Sequence, residues 1–299
     1  MVFVQDSQRI TLSNVLFLTD FSRASASALP FATRIARTYG AKLTALHVVV
    51  PTVSTYMAGE MSASAIRGLE DFAHEEMKKL DQQLVGQPCK TIVECGNDVW
   101  EVVHEVLRDQ EIDLIVLGTH GRTGVKKVLM GSFAEEIFRQ ATAPVLTVGP
   151  AVPAAEKGDD RFRCVLFATD FSTSSAASVP YAHSLSQENQ AQLVLLHVLR
   201  MPKSGRSGKE GELSVAEALH HLVELVPRDS ELWCRPEPLV AHGRPAAGIL
   251  EAAQKCGADL IVMGVRSVKA GAKLAAHMER ATAYEVIAHA TCPVLTVRA

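Results

Sequence analysis

At 299 residues the chain exceeds the usual size of one domain, so two domains of roughly 150 residues are the default expectation. A hydrophobic share of 47% with 21% charged residues is that of an ordinary globular protein, and 5% aromatic residues leave little for stacking nucleic-acid bases. With 30 basic against 33 acidic residues there is no basic excess to attract a phosphate backbone or an anionic membrane surface, which excludes both as expected partners.

The opening stretch, "MVFVQDSQRITLSN", has neither a basic n-region nor a long apolar h-region, so no signal peptide is expected. No run approaches about 18 uncharged apolar residues, so no membrane-spanning helix is expected either. Cys89, Cys95, Cys164, Cys234, Cys256 and Cys292 form no C-x-x-C pair. They read as buried small hydrophobes in a reducing, cytoplasmic setting, and no metal site is expected.

The predicted elements begin with "NVLFLTD", a continuous apolar run of the kind that forms a strand buried on both faces. Ser22 then offers an N-cap to a helix that places Ala28, Phe31, Ala32, Ile35 and Ala36 on one side and closes at Gly40. A second strand, "KLTALHVVV", leads through a Ser/Thr/Met-rich loop into an amphipathic helix from about Ser62 to Leu84. "CKTIVECG" is a third strand and "DVWEVVHEVLRDQEI" a third helix; "DLIVLG", "SFAEEIFRQA" and "PVLTVG" follow as strand, helix and strand. Strand and helix alternating in this way imply an open, mostly parallel five-stranded sheet with helices on both faces, a Rossmann-like α/β fold. Ligands of such sheets sit beyond the carboxyl ends of the strands, where the strand order reverses.

The elements then repeat. "VLFLTDFSRASASALP" returns as "VLFATDFSTSSAASVP", and Asp20 and Asp170, Pro30 and Pro180, and His47 and His197 are each 150 residues apart. Later landmarks drift: Asp113 and Asp259 are 146 apart, Pro144 and Pro293 149 apart. The chain therefore reads as two tandem copies of one unit, residues 1–150 and 160–299, joined through the Pro-, Gly- and charge-rich "GPAVPAAEKGDDRFR".

The stretch "GTHGRTGVKKVLMGS", Gly118 to Ser132, carries the chemistry. Glycines at a strand end let the backbone approach a ligand, and a helix N-terminus presents unpaired N–H groups with a partial positive charge, a combination suited to phosphate. Arg122, Lys126 and Lys127 could offset further charge. The plainer reading is that Ser132 and Glu135 form a capping box and the glycines only turn the chain. Asp20 likewise has a plain reading, a carboxylate near a helix N-terminus. His47 and His197 read as packed histidines rather than bases, because no nucleophile or carboxylate partner is marked.

The pattern G-x2-G-x9-G-[S/T] after "DLIVLGT", with "TDFS" after the first strand and "HV" ending the second, resembles the universal stress protein family in tandem form. The resemblance implies ATP or a related adenine nucleotide, with or without Mg²⁺, in the first copy. Gly118, Gly121, Gly131 and Ser132 would hold phosphate and ribose, with Asp20 and a backbone group near Val48 by the adenosine end. Thr19, Thr119 and Phe133 complete the expected set, and His120 and Arg122 occupy motif positions whose side chains can contact the ligand. The family further implies a nucleotide-dependent stress-response regulator, pairing of the two copies through their fifth strands, and room for a homodimer. A ligand-free interaction scaffold and a slow ATPase are the alternatives; neither a general base nor a G-x4-G-K-[ST] motif is present.

The second copy keeps Asp170 and Gly264, but Ser267 replaces the second motif glycine and Arg280-Ala281 stand in place of Gly131-Ser132. It is expected to bind nucleotide weakly or not at all.

Overall fold

The computed structural model describes residues 10–51, 60–84, 86–119, 131–154, 161–200, 213–226, 236–266 and 282–299. The chain divides into two compact units, one of Leu12–Pro150 and one spanning Ala151–Ala299.

In the first unit the order is β1 (Asn14–Leu18), α1 (Arg23–Tyr39), β2 (Lys42–Val49), α2 (Glu60–Gln83), β3 (Cys89–Cys95), α3 (Val99–Asp109), β4 (Leu114–Gly118), α4 (Ser132–Gln140) and β5 (Val145–Val148). Every pairing is parallel and the spatial order is β3-β2-β1-β4-β5. The chain winds outward through β1 and β2 to β3, then returns to the other side of β1, so the order reverses between β1 and β4. A cleft beyond that point is where such a sheet accepts ligands. Central strands are apolar on both faces because helices cover both: Val15, Phe17, Ile115 and Val116 are fully buried.

The second unit repeats the plan with β6 (Cys164–Ala168), α5 (Thr173–Asn189), β7 (Gln192–Leu199), α6 (Val215–Glu224), β8 (Glu237–His242), α7 (Pro245–Cys256) and β9 (Leu260–Val265). A helix over residues 282–289, α8, and β10 (Val294–Arg298) complete it. Its order is β8-β7-β6-β9-β10, again parallel throughout.

Helix α1 starts where its sequence says it should. The Ser22 hydroxyl accepts from the Ser25 amide at 3.2 Å, and Gly40 closes the helix in the left-handed conformation at φ 64°. In the second copy Gln190 takes the place of Gly40 and is forced into the same region at φ 54°. Helix α2 begins two residues earlier than the spacing indicates, at Glu60. The cysteines divide: Cys164 and Cys292 are buried, Cys89 and Cys256 half-buried, and Cys95 is exposed at the end of edge strand β3, which corrects the expectation that all are core residues. Cys234 lies outside the described residues. No helix among the described residues is long and apolar enough to cross a membrane.

Candidate functional site

The turn after β1 is built from the "TDFS" residues acting on one another. The Thr19 hydroxyl accepts from the Phe21 amide at 3.0 Å, and an Asp20 carboxylate oxygen accepts from the Ser22 amide at 2.9 Å. These bonds draw the chain tight enough to hold Phe21 at φ 60°, a conformation that side chains with a Cβ adopt at a cost. In return the Phe21 ring lies 4.3 Å, centroid to centroid, from His47, whose Nδ1 donates to the Thr19 carbonyl at 2.8 Å. His47 is thus held against the Phe21 ring and by its hydrogen bond to the Thr19 carbonyl, as a packed histidine would be. Phe171, Thr169 and His197 repeat the arrangement in the second copy, with Phe171 again at φ 60°.

Asp20 sits at the lip of this turn. Burial works against its ionised form, but hydrogen bonds from the Ser22 hydroxyl and amide, with another from Ser25, outweigh it and hold the carboxyl below its ordinary range. The side chain is therefore anionic at neutral pH.

On the facing strand, Gly118 ends β4 against the first turn of α1. A Cβ added there would overlap the Ala24 carbonyl, with the carbonyl carbon at 2.6 Å and the Ser25 amide nitrogen at 3.0 Å. Both obstacles are backbone and cannot swing aside. Gly264 meets the same constraint from Ser174 and Ser175. The bareness of this first motif glycine is explained by helix packing on the sheet, which also accounts for its presence in both copies.

The far end of the motif has a different character. The chain leaves β4 at Thr119 and returns at Gly131, whose amide donates to the Thr119 carbonyl at 2.7 Å. Gly131 is the N-cap of α4 and no side chain among the described residues caps the helix; Ser132 is its first helical residue and the expected capping box with Glu135 is not formed. The first intrahelical bond runs from the Glu135 amide to the Gly131 carbonyl. The amides of Ser132, Phe133 and Ala134 are the remaining first-turn donors, and these residues line a crevice.

That crevice, about 290 Å³, lies beyond the carboxyl ends of β1, β2 and β4. Of the residues expected from sequence, it brings together Thr19, Asp20, Val48, Gly118, Thr119, Gly131, Ser132 and Phe133. His120, Gly121 and Arg122 lie outside the described residues, as do Lys126, Lys127 and, in the second copy, Ser267, Arg280 and Ala281. Sequence reasoning missed Ser25, Leu46 and Val99 in the lining. Ser25 was legible as an N3 residue of a capped helix, but its inward direction depends on the tightness of the Phe21 turn, which no residue pattern announces. The arrangement offers a short array of backbone donors on one side, an ionised carboxylate on the other, and apolar walls between.

The universal stress protein family model matches residues 11–149 and again 161–298. A universal stress protein of Mycolicibacterium smegmatis is 28% identical over 97% of this chain and 99% of its own length. The universal stress protein YxiE of Bacillus subtilis is 32% identical over 46% of this chain and 99% of its own, so that relative corresponds to a single copy. Among solved structures, a universal stress protein from Archaeoglobus fulgidus superposes with a TM-score of 0.67 at 21% identity, covering 95% of this chain and 98% of that one. Two successive matches to one family model, on two units of one Rossmann-like strand order, establish that the chain belongs to the universal stress protein family as a tandem-domain member.

Proposed function

We propose that the first unit binds ATP or a related adenine nucleotide and that occupancy of this crevice regulates a stress response in the cytoplasm. The observation that carries the reading is the uncapped start of α4. A helix N-terminus whose amides meet no capping side chain among the described residues, opening into a crevice, suits an anion in both hydrogen bonding and charge. The phosphates would meet the amides of Ser132, Phe133 and Ala134 and the Ser132 hydroxyl. Asp20 would face the ribose end, since an ionised carboxylate beside a triphosphate is repelled unless a cation lies between. No cluster of three metal-ligating side chains exists among the described residues, so Mg²⁺ accompanying the nucleotide would draw its ligands from the phosphates and water.

Regulation by binding is favoured over catalysis. An Asp20 carboxyl held below its ordinary range is a weak general base, and His47 is fixed on Thr19 and Phe21. Strands β5 and β10 each pair with a single neighbour inside their own unit among the described residues, and we propose that pairing, within or between chains, covers these edges. The free thiols among the described residues suit the cytoplasm.

Thermal denaturation of the whole chain with ATP tests the reading. ATP at a hundred times its dissociation constant stabilises a binding protein by about 2.7 kcal/mol. Gly131→Arg, which carries over the arginine of the second copy, is expected to abolish that gain. If ATP leaves the melting temperature of the unaltered chain unchanged, the ligand-free scaffold is the correct reading.

A further inference from the structure

The crevice at the carboxyl ends of β6, β7 and β9 has a volume of about 560 Å³, against about 290 Å³ in the first unit. Two side-chain differences contribute to it. The repeat sets Ala168 where the first unit has Leu18, and Thr282 where it has Phe133. Leu18 and Phe133 both line the smaller crevice, and Phe133 packs against the core cluster that contains Leu18. Isobutyl becomes methyl and benzyl becomes hydroxyethyl on the same wall, and a rigid sheet does not collapse to fill the space. The chamber that results is walled chiefly by apolar residues, among them Leu196, Ile249 and Met263.

Its polar groups are arranged unlike those of the first unit. Asp170, an exposed carboxylate in the described lining, accepts from the Ser172 amide at 3.0 Å and from the Ser175 hydroxyl at 2.7 Å. Helix α6 begins at the rim with a closed capping box in which the Glu217 carboxylate accepts from the Ser214 amide, which places negative charge at that helix start. Helix α7 begins with Pro245, which has no N–H. Neither of these two helix starts offers bare amides, and the residues before α8, the counterpart of α4, lie outside the described ones. The mouth, in contrast, has gained a guanidinium and an imidazole. Exposed Arg200 lines it where the first unit has Val50, and exposed His242 ends β8 at the register position of Cys95 in β3.

We propose that this second crevice binds a small amphipathic anion, its apolar body in the chamber and its carboxylate head at the mouth beside Arg200 and His242. The placement of the head follows from charge, because within one lining Arg200 attracts a carboxylate and Asp170 repels it. The volume falls in the range of about 300–1,000 Å³ typical of small-molecule sites. This site is independent of the nucleotide reading of the first unit.

Calorimetric titration of the whole chain with octanoate, using 1-octanol as the neutral counterpart and ATP as competitor, tests the proposal. One octanoate should bind per chain, unaffected by saturating ATP, with octanol binding more weakly. Arg200→Val, a surface change, should weaken octanoate at least tenfold and leave octanol unchanged. Ala168→Leu, which installs the side chain that the first unit already accommodates, should remove both. Displacement of octanoate by ATP, octanoate binding that survives both substitutions, or no binding of octanoate at all overturns it.

Discussion

Gly118 shows how a residue legible in its position can carry a packing reason beside the ligand one. Its position after an apolar strand marks it as a motif glycine, yet the atoms that exclude a Cβ are those of the α1 backbone. Gly118→Ala and Gly264→Ala should therefore each destabilise the protein by about 1–3 kcal/mol, the usual cost of overpacking, whether or not nucleotide is present. Urea denaturation of the two variants checks this; a Gly118→Ala chain of normal stability that has lost only ATP binding would return this glycine to the ligand. The buried thiols give a second outcome at this scale. Burial, reinforced by neighbouring Cys256 and Asp259, pushes the Cys164 and Cys292 thiols from their ordinary 9.0 up to about 12. Between those values the folded protein keeps protons that the unfolded chain has released. Stability is thus fully present below pH 9 and falls as the pH rises through that window. Denaturation midpoints measured from about pH 8 to about pH 10.5 should fall, and Cys292→Ala should make the fall shallower; an unchanged slope would show that burial of this thiol is not what drives the loss.

Elements were more legible than their ends. The apolar runs and the 3.6-residue periodicity locate the central strands and α1, because strands buried on both faces and helices buried on one leave unambiguous patterns, whereas the half-exposed edge strand β8 carries no such run and was not placed. The start of α4 was not legible. Ser132 followed by Glu135 spells a capping box, but the bond from the Gly131 amide to the Thr119 carbonyl ties the chain one residue earlier and makes Ser132 part of the helix. That contact joins residues twelve apart, beyond the reach of a local sequence pattern. The tight turn at Phe21 escaped for a similar reason, since a phenylalanine at positive φ is stabilised by stacking on a histidine from the next strand. Helix α5 carries a comparable strain at its C-cap. Gln190→Gly should stabilise the chain by about 1 kcal/mol, because glycine occupies the left-handed region without the Cβ penalty and already does so at Gly40. A rise in the denaturation midpoint with an unchanged m-value would confirm it; no rise would place the strain elsewhere.

Across the whole molecule the repeat is the clearest message of the sequence, and its departures are as informative as its matches. The two copies share strand order, the histidine–phenylalanine stack and the structural glycine after the fourth strand of each unit. They differ in what their crevices contain: Leu18 and Phe133 against Ala168 and Thr282, Val50 against Arg200. The sequence alone pointed to loss of nucleotide affinity in the second copy. It could not reveal the larger chamber there, because a volume depends on which side chains from distant strands share a wall. Two units of one ancestry with unlike crevices are expected to take different ligands, and nucleotide should bind to only one of them. Isothermal titration of the intact chain with ATP measures this most directly. One equivalent of ATP per chain, abolished by Gly131→Arg, is the expected result; two equivalents, or none, would contradict it.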